Sequence, residues 1–150
     1  MLIGQFTHTL DDKNRLSLPV KFRREMGKKV VVTPGLDGCL FVFTMKQWET
    51  ISAKLGESSM LSADTRSFNR YMLGGANEVE VDSIGRILVP DFLRERAGLA
   101  GVGKAASKAV IIGVQSRVEI WNEKSWIGYK SKVEKEADQL AEKLGGVGVL

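Results

Sequence analysis

Apolar side chains recur at every second position at Phe6, (His8) and Leu10, and again at Leu16 and Leu18, with the polar run Asp11-Asp12-Lys13-Asn14 between them. A period of two predicts two half-buried strands, and the short polar run predicts a tight loop joining them as a hairpin. Pro19 ends the second strand and suits the first position of a short helix that Gly27 closes. Residues 29–33 and 39–43 predict two more strands, separated by Pro34-Gly35-Leu36-Asp37-Gly38. Thr44 suits a helix N-cap, and Trp48, Ile51 and Leu55 form a helical stripe ending at Gly56. A second helix is expected over 63–73, between Ser62 and Gly74-Gly75.

The same pattern then returns. Residues 10–27 align with residues 81–98 at a constant offset of 71: Asp11 with Asp82, Arg15 with Arg86, Pro19 with Pro90, Arg23 with Arg94 and Gly27 with Gly98. Apolar character is kept at Leu10/Val81, Leu16/Ile87, Leu18/Val89 and Phe22/Leu93, and Val79-Val81 repeats the first strand. The later elements match at an offset of 78, with strands over 109–113 and 117–121, Asn122 as the next N-cap, and Trp48 aligned with Trp126. The seven extra residues fall in the small, polar stretch 100–108, expected to be a surface loop. The last helix is longer, with Trp126, Tyr129, Val133, Ala137, Leu140 and Leu144 recurring up to Gly145. The tryptophans are expected to be packing residues. The expected organisation is a first repeat over 5–53, a helical connector over 54–76, a second repeat over 77–127, and a C-terminal helix and tail over 128–150.

Composition narrows the class. At 150 residues, 43% hydrophobic and 27% charged, the chain is expected to be globular, and it holds no run of about 18 apolar residues. Residues 1–6 lack a signal-peptide layout, so a cytoplasmic location is expected and no membrane partner. His8 and Cys39 alone cannot assemble a zinc site, so no metal or other cofactor is expected. No thiol nucleophile neighbours His8, and Gly101-Val102-Gly103-Lys104 is only a fragment of a phosphate loop; an enzyme, and with it a small-molecule substrate, is not expected. A net charge of +4 favours an anionic partner but does not identify one.

The candidate chemistry lies in the two Asp-x-x-x-Arg loops, Asp11 to Arg15 and Asp82 to Arg86. Asn14 and Gly85 occupy equivalent positions and are residue types that tolerate the positive φ of tight turns. An arginine at a loop tip, with Lys13 beside it in the first copy, presents donors to an acceptor-rich surface. Guanine offers O6 and N7 to a planar guanidinium, worth about 1–3 kcal/mol of discrimination per good pair. The aspartates would hold the arginines or accept backbone N–H groups across the loop. Against this stands a plain surface ion pair, worth roughly 0–1 kcal/mol. Arg23 and Arg94 suit phosphate contacts or a solvated helix face equally well.

The segments His8-x-Leu10-Asp11-x-Lys13-x-Arg15-Leu16-Ser17-Leu18-Pro19 and Asp82-x-x-Gly85-Arg86-Ile87-Leu88-Val89-Pro90, with Ala97-Gly98-Leu99 and Val118-Glu119-Ile120-Trp121, resemble the MraZ family over nearly the whole chain. The resemblance implies an α+β fold of two tandem SpoVT-AbrB-type swapped-hairpin β-barrel modules, with flanking helices and a longer C-terminal helix. It further implies a ring-shaped homo-oligomer, associated with the nucleoid, that regulates transcription of the bacterial division and cell-wall gene cluster. Double-stranded DNA carrying short tandem G-rich repeats would be its partner. Carried onto this chain, the DNA-binding residues are Lys13, Asn14, Arg15 and Arg86, with Asp11 and Asp82 positioning the loops. The chain departs from the family pattern at Asn14, where glycine is usual, and in the long loop at 100–108. The alternative is an antitoxin-like protein-interaction module with secondary DNA binding, which the long C-terminal helix would serve.

Overall fold

A computed structural model describes residues 1–99 and 107–149. Strands β1 (Ile3–Thr9) and β2 (Arg15–Ser17), helix α1 (Val20–Met26), strands β3 (Lys29–Pro34) and β4 (Leu40–Thr44) and helix α2 (Met45–Gly56) come first. Helix α3 (Ala63–Met72) follows. Strands β5 (Asn77–Glu80) and β6 (Arg86–Leu88), helix α4 (Asp91–Arg96), strands β7 (Lys108–Val114) and β8 (Val118–Asn122) and helix α5 (Glu123–Gly146) then repeat the first six elements in order. The surface loop expected over 100–108 lies outside the described residues except for Ser107 and Lys108, and Lys108 already belongs to β7.

Among the described residues all strand pairs are antiparallel, in a six-stranded sheet of order β1-β7-β8-β4-β3-β5 and a two-stranded ribbon β2-β6. Exchanging each element for its counterpart maps this order onto itself, so the sheet has an internal two-fold at β4 and β8. The simple hairpin expected for each Asp-x-x-x-Arg loop is therefore corrected: β1 and β2 are joined by the loop but pair elsewhere. β1 runs along β7 from Ile3↔Val114 to Thr9↔Lys108, and its counterpart β5 runs along β3. Backbone satisfaction explains the choice. β2 is three residues long and would leave most of the seven-residue β1 without partners, whereas β7 matches its full length.

The main core lies between sheet and ribbon and draws on both repeats. Leu16, Leu18, Ile87 and Val89 from the ribbon and the turns after it meet Val30, Val32, Leu40, Val42, Ile111 and Ile120 from the sheet, and Phe22 and Leu93 from α1 and α4 join the same cluster. The other face of the sheet carries a second cluster of Phe41, Phe43, Val110, Ile112 and Trp121, covered by Trp48 and Trp126. Two covered faces explain why β3, β4 and β7 are near-continuous apolar runs while β1 and β5 alternate. Burying a residue such as Phe22 completely contributes roughly 1.5–3 kcal/mol.

The helix ends follow local chemistry. Thr44 closes a capping box, the Gln47 N–H donating to Thr44 Oγ1 (3.1 Å) and the Thr44 N–H to Gln47 Oε1 (3.0 Å). Asn122 accepts from the Ser125 N–H at 3.2 Å. Pro19 and Pro90 sit one residue earlier than expected, at the N-caps of α1 and α4, because both keep extended ψ values of 136° and 145°. Helix α5 buries none of its residues, and Ile127, Leu140 and Leu144 stay exposed along it.

Candidate nucleic-acid interface

The two loops are built alike, atom for atom. In the first, Asp11 Oδ1 accepts the backbone N–H groups of Lys13 (3.0 Å) and Arg15 (2.8 Å), while Oδ2 accepts Arg15 Nε–H at 2.8 Å. In the second, Asp82 Oδ1 accepts from Ile84 N (3.1 Å) and Arg86 N (2.8 Å), and Oδ2 accepts Arg86 Nε–H at 2.7 Å. The Asn14 N–H donates to the Asp11 carbonyl and the Gly85 N–H to the Asp82 carbonyl, each at 3.0 Å. These turns need positive φ, which is 62° at Asn14 and 83° at Gly85. Each carboxylate thus closes its loop with one oxygen and aims its arginine with the other.

The hydrogen bonds set the ionisation as well. The Arg15 N–H bond, ahead of the guanidinium and the Lys13 N–H, holds the Asp11 carboxyl below its ordinary range, and partial desolvation opposes this. Asp82 is lowered in the same way by the Arg86 N–H, its guanidinium and the Ile84 N–H. Both aspartates are therefore anions at neutral pH.

The ribbon brings the loops together. Pairing of β2 with β6 sets Arg15 opposite Leu88 and Arg86 opposite Ser17, and Arg86 Nη1 comes within 3.8 Å of Asp11 Oδ2. Asp11 therefore faces two arginines and Asp82 one. Among the described residues, neither Nη of Arg15 has a protein partner, so its end-on edge is open. Lys13 is exposed beside it. Asn14 turns its side chain inward, with Oδ1 buried and unpartnered among the described residues.

Sequence reasoning left Arg23 and Arg94 as phosphate contacts or a solvated face. Both instead turn back on the fold. Arg23 Nε donates to the Leu18 carbonyl at 2.9 Å and Arg94 Nε to the Val89 carbonyl at 3.1 Å. Leu18 N–H in turn donates to Gly85 O (2.8 Å) and Val89 N–H to Asn14 O (3.4 Å), so each loop rests on the other repeat. The only signal in the sequence was that these arginines recur four residues after each proline.

Among the described residues no group of three or more His, Cys, Asp or Glu side chains could hold a metal, and no helix is long and apolar enough to cross a membrane. Burial, with the Glu119 carboxylate adding to it, pushes the Cys39 thiol up to about 12, which leaves it protonated and unreactive.

An internally duplicated α+β protein that exchanges strands between its halves and presents two aspartate-braced arginine loops from one ribbon is the class that fold and site define. The model of the MraZ protein family matches residues 1–71 and again residues 72–145. Proteins named transcriptional regulator MraZ from Caldanaerobacter subterraneus and Thermoanaerobacter pseudethanolicus are 42% identical over 149 residues, covering 99% of this chain and 100% of each relative. The one from Desulforamulus reducens is 42% identical over 144 residues, covering 96% of this chain and 97% of its own. The chain belongs to the MraZ family, a family of transcriptional regulators rather than enzymes.

Proposed function

We propose that this protein is a sequence-specific DNA-binding regulator of transcription that reads base edges with Arg15 and Arg86. The observation that carries this is the open Nη edge of an arginine whose Nε is already fixed by a carboxylate, with the second such arginine's loop adjoining it across the ribbon. A guanidinium held on one edge and free on the other suits bidentate pairing with guanine O6 and N7. It also loses less conformational entropy on binding than a free side chain. Lys13 adds a cation next to Arg15, and Asn14 acts through its backbone turn.

The finer reading rests on the family resemblance. Several copies in a ring-shaped homo-oligomer bind short tandem G-rich repeats upstream of the division and cell-wall gene cluster, in the cytoplasm at the nucleoid. Repetition suits the modest charge of +4 per chain, because linked weak contacts gain from effective concentration. The exposed apolar residues of α5 and of the α1 and α4 starts, such as Val20 and Phe92, are compatible with contacts between copies.

Footprinting on the gene's own upstream region, with the mass of the free and bound oligomer measured in parallel, tests the proposal. Protection of evenly spaced G-rich repeats by a complex of several chains is expected. No protection at any salt, together with stoichiometric capture of a protein partner, would replace it with the antitoxin-like reading.

A further inference from the structure

The two arginines that follow the prolines are not held equally. Arg94 donates Nε–H to the Val89 carbonyl and also pairs through Nη2 with Asp91, in the first turn of its own helix. In the first repeat Val20 stands where the second has Asp91. Arg23 keeps its bond to the Leu18 carbonyl at 2.9 Å, but among the described residues no carboxylate pairs with it. Its guanidinium rests instead on the second loop. A Cβ built on Gly85 would lie 2.5 Å from Arg23 Cζ and 2.6 Å from Cδ, and closer still to Nε. The contact requires glycine for space as well as for its φ of 83°. Leu18 completes it, because its N–H donates to the Gly85 carbonyl at 2.8 Å while its own carbonyl accepts from Arg23.

We infer that Arg23 is a positioning residue for the other repeat's loop, seating Gly85 and thereby fixing the turn that aims Arg86. The loop turns between Asp82 and Arg86, and Gly85 directly precedes the arginine, so a shift of Gly85 moves Arg86 with it. The first loop differs: Asn14 stands in place of Gly85 and buries its side-chain Oδ1, and Arg94, the counterpart of Arg23, is anchored by Asp91. The consequence for DNA rests on the function proposed above, whereas the effect on the loop does not.

The test combines Arg23→Ala, Gly85→Asn and the double variant. Asparagine tolerates positive φ, as Asn14 does, so Gly85→Asn displaces Arg23 without forbidding the turn. In the free protein, nitrogen-15 NMR of the Arg86 Nε–H, bonded to Asp82 in the native loop, is expected to show faster solvent exchange in each single variant, with the Arg15 signal unchanged. Affinity for the specific duplex is expected to fall roughly tenfold, with random-duplex affinity and the salt slope unchanged. The double variant is expected to be no worse than either single one, since both remove the same contact. Arg23→Ala weakening both duplexes equally and lowering the salt slope by about one would make Arg23 a phosphate anchor and overturn the inference. Additive losses in the double variant, or an unchanged Arg86 signal, would overturn it too. A loosened Arg86 signal with no DNA preference even in the unsubstituted protein would uphold the positioning role and fail only the DNA reading.

Discussion

The loops at Asp11 and Asp82 share every backbone bond and both aspartate–arginine contacts, yet their surroundings differ at each remaining position. The first has Lys13 exposed, Asn14 folded inward, and an arginine whose Nη groups have no partner among the described residues. The second has Ile84 exposed, Gly85 open to Arg23, and an arginine whose Nη1 lies 3.8 Å from Asp11. Duplication has kept the frame that shapes an arginine tip and let the periphery diverge. The frame sets geometry, while the periphery sets how much of the guanidinium and how much local charge face outward. On the function proposed above, the first loop would lead recognition and the second would support it.

Removing the leading arginine is the strongest way to break this ranking. Arg15→Ala is expected to reduce specific affinity about 10- to 100-fold, against roughly tenfold for Arg86→Ala. Arg15→Lys is not expected to restore it, since an ammonium lacks the planar fork. Binding titrations of the three variants check the order, and equal losses from Arg15→Ala and Arg86→Ala would erase the proposed asymmetry.

The aspartates come next. Asparagine keeps an oxygen for the two backbone N–H groups but turns an amide NH2 against the arginine. Because Asp11 faces both arginines and Asp82 only one, Asp11→Asn is expected to weaken specific binding several-fold more than Asp82→Asn. The reverse order in a titration would mean that the 3.8 Å approach of Arg86 to Asp11 carries no weight.

Acid distinguishes the same groups by stability. Both carboxyls have folded pKa values lowered from 3.8, so their contribution is fully present above that value and is lost as pH falls through the folded values. Thermal melts should show a constant gap between the native chain and the Asp11→Asn/Asp82→Asn variant from about pH 7 to pH 5, closing only below about pH 4. A gap that closes near pH 6 would point to other groups.

Much of this was legible in sequence. The positive-φ positions Asn14 and Gly85, the Thr44 and Asn122 caps, and strands β3, β4, β7 and β8 all follow from local chemistry, so the residues themselves declare them. The partners of β1 and β2 were not legible, because alternation reports which face is buried and not which strand lies alongside. Nor was the role of Arg23. Its contact with Gly85 arises only once the two repeats pair across the ribbon, and on a helix read alone it looks like one more solvated cation.

The smallest effect probes the one place where the first loop is less well satisfied. Among the described residues the buried Asn14 Oδ1 has no partner, and Asn14 holds a φ of 62°, so Asn14→Gly removes both costs while adding backbone entropy to the unfolded chain. The melting temperature is expected to rise by no more than about 3 °C, corresponding to about 1 kcal/mol. A fall of several degrees would reveal a stabilising partner for that amide.

The central claim, that these loops read sequence and do not merely attract phosphate, is tested most directly by fluorescence anisotropy at one fixed salt. The native chain, Arg15→Ala and Arg86→Ala would each be titrated against a tandem G-rich duplex and a scrambled duplex of equal length and charge. Both substitutions are expected to collapse the preference for the G-rich duplex, Arg15→Ala the more, with scrambled-duplex affinity nearly unchanged. Equal losses on the two duplexes would contradict it and reduce both arginines to backbone anchors.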